Sequence, residues 1–540
     1  MSADDLFLLL QRGVDRGIRR LRLGPAPRRG RRRFLIVQID GLSRTALEEA
    51  LAARRMPFLW RLLEHGQYRL TPLAVGMPTS TPAFQMALMY GVRPDIPAFH
   101  YHDKRRRSDV YFPRAGDAAL VEATQAAGRS GIVEGGSTYG CVFTGGATNN
   151  LFSFAMIKRP TGAGVLRAVS AGIVLAWVIL KGTTVTVLTL ARALLGVLAD
   201  PLRRDTRGWK WLAIKVGISV WLQELFTLAV SRDLYRGVPA VYVNYLDYDV
   251  FAHAYGPRHR AALRSLRRID RSLRQLWRVL RRVPEHGYDL YILSDHGQAP
   301  CQPFTRFTAG RPLERLLFDD FLDPDGGGNA APSRRGRLRS GITGFRRGRA
   351  PGFFQRFVNY LEADFPWLLG GLRGSHQQGA VRVVAAGPNA LVYWVDVEEP
   401  LGMEGIEDRA PGLTEALSRL PGIGFVLARS PAGPLCWWRG KCYPLSPEHP
   451  GPFAGRKDLE LVLEGIGDLM AMPSAGDLVL YGEGAPEGNV SFVPELGAHA
   501  GPSADELHTF IIHPARVPLP PSVTHPRELY PHFRRYQEAA

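Results

Sequence analysis

The sequence predicts an α/β protein with a doubly wound, mostly parallel central sheet, helices on both faces and a helical insertion. Three observations predict it. Apolar runs recur and each ends in an acid: Phe34–Ile39 before Asp40-Gly41, Val238–Tyr245 before Asp247 and Asp249, and Tyr288–Leu293 before Ser294-Asp295-His296. Strands buried on both faces of a parallel sheet read as such near-continuous apolar runs. Helical stretches separate them, 44–65 after the first run and 259–283 after the second. The acids and histidines then stand where the runs stop, and in doubly wound sheets ligands gather beyond the carboxyl ends of the strands.

The 540 residues suffice for one large α/β core with insertions, or for two or three average domains. The formal net charge is +18, and of 68 basic residues only seven are lysine. A positive field favours anionic substrates, acidic lipid or nucleic acid, and charge alone does not choose among them. The four cysteines, Cys141, Cys301, Cys436 and Cys442, form no CxxC pair, which argues against a cysteine-rich zinc site. Cys436 and Cys442 are near enough in sequence to bridge or to remain two free thiols. The amino terminus lacks the pattern of a cleaved signal, which predicts a cytoplasmic protein or one on the cytoplasmic face of a membrane.

Residues 1–33 read as a basic amino-terminal arm, and 34–540 as one catalytic domain. The segment 160–235 interrupts that domain. Ala168–Leu180 is free of charge, Lys181 and Arg192 break its continuation, and a second apolar stretch runs from Trp211 to Val230. A membrane span needs about 20 apolar residues, so 168–230 leaves three readings open: a hairpin at the membrane interface, a two-helix span, or a helical cap on the protein. Residues 324–352, rich in Gly, Ser and Arg, read as a flexible loop. Val381–Ala385, Ala390–Val395, Leu478–Tyr481 and Thr509–Ile512 read as strands completing the same sheet.

Asp and His supply the carboxylate oxygen and imidazole nitrogen that zinc and similar cations take. Asp249 and His253 are four apart and share one face of a helical turn. Asp295 and His296 are adjacent, as suits a loop that aims neighbours separately. His499 lies between Gly497 and Gly501, where the chain can bend sharply. Each piece alone is weak; their order, each after an apolar strand or a glycine turn, is the signal. In Met77-Pro-Thr-Ser-Thr81-Pro82 a hydroxyl needs a base or a metal to become a nucleophile. The same residues also suit a helix start, whose amino terminus favours phosphate.

These segments together resemble the alkaline phosphatase superfamily, most closely its nucleotide pyrophosphatase/type I phosphodiesterase branch. Pro78-Thr-Ser-Thr81-Pro-Ala-Phe-Gln-Met-Ala-Leu-Met-Tyr-Gly91 is similar to the nucleophile segment of that branch. Asp249-x-x-x-His253-Ala-Tyr-Gly-Pro257 resembles its D-x-x-G-H-x-x-G-P, with Ala252 in place of Gly. Ser294-Asp-His-Gly297 and Gly497-Ala-His499 match its S-D-H-G and G-x-H. The matched segments leave 151–237 and 300–380 without a counterpart.

The resemblance implies an alkaline phosphatase-like fold and hydrolysis of phosphate esters through a phospho-threonine at Thr81. It implies two divalent metal ions, zinc first, with manganese or iron as alternatives. Asp249, His253 and His499 would hold one; Asp40, Asp295 and His296 would hold the other, with Thr81 beside it. The phosphate-binding Asn of the branch is missing; Tyr101 or His102 falls there. His102 and Lys104 are therefore candidate substrate-binding residues, and Lys104 keeps a phosphomonoesterase in view. A phosphoryl-group transferase and a promiscuous sulfate-ester hydrolase remain alternatives. So does a non-catalytic basic protein that binds membrane or nucleic acid. The expected partner is a phosphate ester, and 168–230 suggests a lipid-linked one; nucleic acid is not expected.

Overall fold

The computed structural model describes residues 32–151, 221–322, 375–483 and 489–538, together with positions 180, 183, 184, 186 and 187. The arm before residue 32, most of 160–220 and the loop 324–352 therefore lie outside the described residues. The chain begins with β1 (Arg33–Ile39), α1 (Arg44–Ala52), α2 (Pro57–Glu64), β2 (Tyr68–Ala74) and α3 (Thr81–Tyr90). A hairpin, β3 (His100–Asp103) and β4 (Ser108–Tyr111), precedes α4 (Ala115–Gln125), β5 (Ser137–Tyr139) and β6 (Asn149–Leu151). Then come α5 (Gln223–Arg236), β7 (Ala240–Tyr245), α6 (Asp247–Tyr255), α7 (Arg260–Arg282), β8 (Tyr288–Leu293) and β9 (Ala299–Pro303). The carboxyl-terminal half carries β10 (Ser375–Gln378), β11 (Val381–Ala385), β12 (Asn389–Trp394), β13 (Phe425–Ser430), β14 (Gly433–Trp438) and β15 (Lys441–Pro444). It ends with α8 (Leu459–Ala471), β16 (Leu478–Tyr481), β17 (Asn489–Ser491), β18 (Gly497–Ala498), β19 (His508–Pro514) and α9 (Tyr530–Glu538).

The central sheet has the order β2-β19-β8-β1-β7-β5-β6. β8, β1, β7, β5 and β6 are parallel, and β19 runs antiparallel to β8 and β2. Alternation on β1 sends Phe34 and Ile36 to one apolar layer and Leu35, Val37 and Ile39 to the other. Helices α3 and α8 pack on the first face; α1, α2, α5, α6 and α7 pack on the second. This is the doubly wound α/β architecture expected from the apolar runs. The stretch 44–65 is two helices, α1 and α2, with Arg54 between them at a φ of 52°.

Strands β11, β12 and β16 do not complete the central sheet. They belong to a second seven-stranded sheet, β10-β11-β12-β16-β13-β14-β15, antiparallel throughout. Only Ala386, Gly387 and Pro388 separate β11 from β12, and so short a link returns the chain antiparallel. One face of this sheet, with Leu391, Tyr393, Leu427 and Val479, shares the apolar layer of the central sheet. All four cysteines are free thiols. Among the described residues no helix is long and apolar enough to cross a membrane.

Candidate metal centre

Three neighbouring parallel strands deliver the acids. β1 ends at Asp40; β7 runs into α6, which carries Asp249 and His253; β8 runs into Ser294-Asp295-His296. Val37 faces Val243 on one side and Ile292 on the other, so the three carboxyl ends lie level. Ser294 Oγ accepts from Leu42 N at 3.0 Å and donates to Ile39 O at 2.7 Å, locking two of these ends together. Gly41 has a φ of +73°, and a Cβ there would sit 2.6 Å from Asp249 Oδ1. Only glycine allows that approach.

Thr81 opens α3. Its Oγ1 lies 3.2 Å from His296 Nε2. That nitrogen lies 3.5 Å from Asp40 Oδ1 and 3.4 Å from Asp295 Oδ2. The ligand atoms of Asp40, Asp295 and His296 fall within 4.8 Å of one another, and so do those of Asp249, His296 and His499. His253 Nε2 is 3.5 Å from Asp249 Oδ2, and its ring centroid is 5.0 Å from that of His499. The structure thus brings Asp40, Thr81, Asp249, His253, Asp295, His296 and His499 into one neighbourhood. His296 offers its nitrogen to both sets, and His253 stands beside the second set against Asp249.

Each histidine has its Nδ1 against an acceptor. His253 Nδ1 lies 2.8 Å from Glu495 Oε2 and 2.9 Å from Gly497 O. His296 Nδ1 lies 3.0 Å from Gly297 O, and His499 Nδ1 2.8 Å from Thr79 O. Such acceptors hold the proton on Nδ1 and leave the Nε2 lone pairs for a cation. Burial, with His296 and His253 adding to it, holds His499 well below the usual imidazole range and keeps it neutral. His253 is opposed: burial pulls it down, but Asp249 and Glu495 outweigh burial and push it up to about 9.

The carboxylates report the same need. Burial raises Asp40 well above the usual carboxylate range, and the charges of Asp295 and Asp249 raise it further. Burial also raises Asp295, whose Oδ2 is buried with no hydrogen-bond partner. A buried cluster of carboxylates with an orphaned oxygen is costly unless a positive charge stands among them. Oxygen and imidazole donors of this kind suit divalent cations, so the residues present fit such ions.

Lys104 is committed elsewhere. Its ammonium donates to both oxygens of Asp477, at 3.0 and 3.1 Å, and to Glu399 O at 2.9 Å, which uses its three donors. His102 Nδ1 faces Asp109 Oδ1 at 2.9 Å, on a hairpin packed against the second sheet. Among the described residues, neither side chain makes a hydrogen bond or ion pair to the seven residues of the centre. Four supporting residues escaped the sequence reading. Asn244 donates to Asp40 Oδ2 at 2.6 Å, Gln298 donates to Asp249 Oδ1, Glu495 holds His253, and Thr79 holds His499. Asn244 alone left a signal, as the one amide inside the apolar run of β7. Ala252, where the resembling family has Gly, is fully buried among the apolar residues under α6.

Two acid–histidine sets around a buried hydroxyl, at the carboxyl ends of a doubly wound sheet, mark an enzyme of the phosphodiesterase/phosphatase type. The family model for type I phosphodiesterase / nucleotide pyrophosphatase matches residues 168–333. The match spans less than a third of the chain, and with the motifs it makes the chain similar to the type I phosphodiesterase / nucleotide pyrophosphatase family. The match takes in Asp249, His253, Asp295 and His296; it also covers 168–237 and 300–333, for which the motifs offered no counterpart. Phosphonoacetate hydrolase from Sinorhizobium meliloti 1021, solved with phosphonoformate and with phosphonoacetate, is 14% identical, with a TM-score of 0.47 over 96% of this chain and 98% of that one. Murine ectonucleotide pyrophosphatase/phosphodiesterase 5, an inactive variant with AMP, is 12% identical, with a TM-score of 0.43 over 94% of this chain and 95% of that one. No curated protein matches by sequence.

Proposed function

We propose that the chain hydrolyses phosphate esters, as a phosphodiesterase or pyrophosphatase, through a phospho-threonine at Thr81 beside two divalent cations. The observation that supports this most is the Thr81 hydroxyl lying against His296, with Asp40 and Asp295 around the same nitrogen. Asp40, Asp295 and His296 would hold one cation; Asp249, His499 and His253, with His296 between the two sets, would hold the other. Imidazole and carboxylate together favour zinc, with manganese or iron as alternatives. Bound cations of this kind neutralise charge on the attacking and departing oxygens of an in-line displacement.

The chain's own residues do the rest. Thr81 Oγ1 forms the bond to phosphorus, the ester oxygen leaves, and water later cleaves the phospho-threonine. Asp40, Asp295 and His296 orient the hydroxyl for that attack. The amino terminus of α3, which starts at Thr81, offers backbone N–H groups to the phosphoryl oxygens. A lipid-linked or membrane-adjacent ester fits the apolar composition of 168–230.

Thr81→Ala tests the reading. Hydrolysis of a chromogenic phosphodiester should fall to background, while bound metal stays near the wild-type amount. Acid-quenched wild-type enzyme should yield a phosphorylated peptide that contains Thr81. Turnover retained in the variant would remove Thr81 from the nucleophile role.

A further inference from the structure

Helix α7 carries a feature that the metal centre does not use. Arg260, Arg264, Arg267, Arg271, Arg274, Arg278 and Arg281 follow one another at spacings of four and three. At about 100° per residue these positions share an arc of roughly 100°, along roughly 32 Å of helix. The opposite arc is the packed one: Ala262, Leu266, Ile269, Leu273, Leu276, Val279 and Leu280 are buried under the central sheet. Arg278 is half-buried and the other six arginines are exposed.

Among the described residues, none of the seven makes an ion pair or a hydrogen bond. The basic side chains on either side of the row do: Arg258 pairs with Glu49 and Asp505, and Arg268 with Asp247. The single acid of the helix, Asp270, is buried and accepts from Phe58 N at 3.0 Å and Leu59 N at 2.9 Å. Surface helices usually mix the two signs along one face, because like charges three and four apart repel. This row keeps one sign over its whole length.

We propose that this face of α7 docks on an anionic lipid surface. Two observations favour a bilayer over other polyanions. The row is straight and lies on a helix packed along its length against α2, α5 and α6, so it presents a line to a plane and cannot enter a groove. Helix α5 begins at Gln223 and packs on α7, and in sequence it directly follows the stretch that holds the apolar runs Ala168–Leu180 and Trp211–Leu222, so the basic row lies beside the helix that follows the chain's most apolar segment. Attraction to anionic headgroups acts over about a Debye length and adds about fivefold to partitioning per basic residue. The inference does not depend on the metal centre.

The test is flotation of the purified full chain with vesicles of phosphatidylcholine alone, or of phosphatidylcholine with phosphatidylglycerol. The variant replaces Arg264, Arg267, Arg271 and Arg274 with Gln; its control replaces the same four with Lys. The segment 168–230 is unchanged in both. Wild-type protein and the Lys control should float with the anionic vesicles and lose much of that binding in high salt. The Gln variant should need roughly several hundredfold more anionic lipid, with unchanged binding to neutral vesicles and unchanged hydrolysis of a soluble phosphodiester. Equal flotation of the Gln variant and wild type would overturn the proposal. So would duplex DNA that displaces the vesicles with the same dependence on these arginines, since the face would then serve a polynucleotide.

Discussion

Asp40, Asp295 and His296 stand on the ends of β1 and β8, each at most 2% exposed, with the hydrogen bonds of two neighbouring strands behind them. Asp249, His253 and His499 stand on a helix and a loop, and each is held by a side chain or carbonyl from another segment: Gln298, Glu495 and Thr79. The inner half of the centre is thus placed by the sheet. The outer half is placed by braces. A strand end already fixes its backbone, so its side chains need little else. A loop must be pinned, because positions there are aimed only to the extent that neighbours lock them.

The largest expected effect is on the inner half. Asp295→Asn should reduce hydrolysis by more than about hundredfold, beyond the cost usual for a residue behind the ligands. It should also remove one buried negative charge, so the metal-free protein should melt no lower than wild type, while stabilisation by added metal shrinks. Full metal-dependent stabilisation in the variant would show that the inner half is not a cation site.

A smaller effect is expected on the outer half. Glu495 accepts from Ser491 Oγ at 2.6 Å and faces His253 Nδ1, so it acts on the centre through His253. Glu495→Gln should weaken metal binding by about 10–100-fold, read by equilibrium dialysis, with activity recovered at high metal concentration. A loss of activity that metal cannot rescue would place the role of Glu495 elsewhere.

Glu506 braces the same loop by accepting from Gly501 N at 3.0 Å and Ser503 N at 3.2 Å. Burial, against those donors, pushes its carboxyl from the ordinary 4.5 up to about 7. The fold therefore prefers the protonated form, and that stability is present below pH 4.5 and lost as pH rises through about 7. Glu506→Gln should flatten this part of the melting-temperature profile; an unchanged slope would assign it to other groups.

The smallest effect on catalysis is expected at Lys104, outside both halves. Lys104→Met leaves Asp477 buried without its cation and should cost about 3–5 kcal/mol of stability. Hydrolysis by the still-folded protein at low temperature should stay within about twofold. A selective rise in KM for phosphate monoesters would return Lys104 to substrate binding.

The inner half was the more legible of the two from sequence. Asp40 and Asp295-His296 end runs that are apolar but for Gln38 and Asp289, and in a doubly wound sheet such strand ends lie together at its carboxyl edge. His499 was legible by motif, yet its neighbour Glu495 was not, because nothing in Pro-Glu-Leu-Gly-Ala-His distinguishes a brace from a surface acid. The partner of Lys104 was illegible for the same reason: a basic loop looks alike whether its ammonium faces solvent, substrate or a buried Asp477. β11, β12 and β16 were recognised as strands but assigned to the wrong sheet, since their alternation is the same in either.

The order of strand, acid and helix, the parallel core and the identity of the acid, histidine and hydroxyl groups were determined by the sequence alone. Apolar periodicity and turn chemistry are local properties, and they can be read along the chain. How near the histidines of the two sets lie to one another, where the ammonium of Lys104 goes, and that a second antiparallel sheet flanks the first were decided only by tertiary structure. These depend on distances between residues hundreds of positions apart, which folding sets and no local pattern encodes.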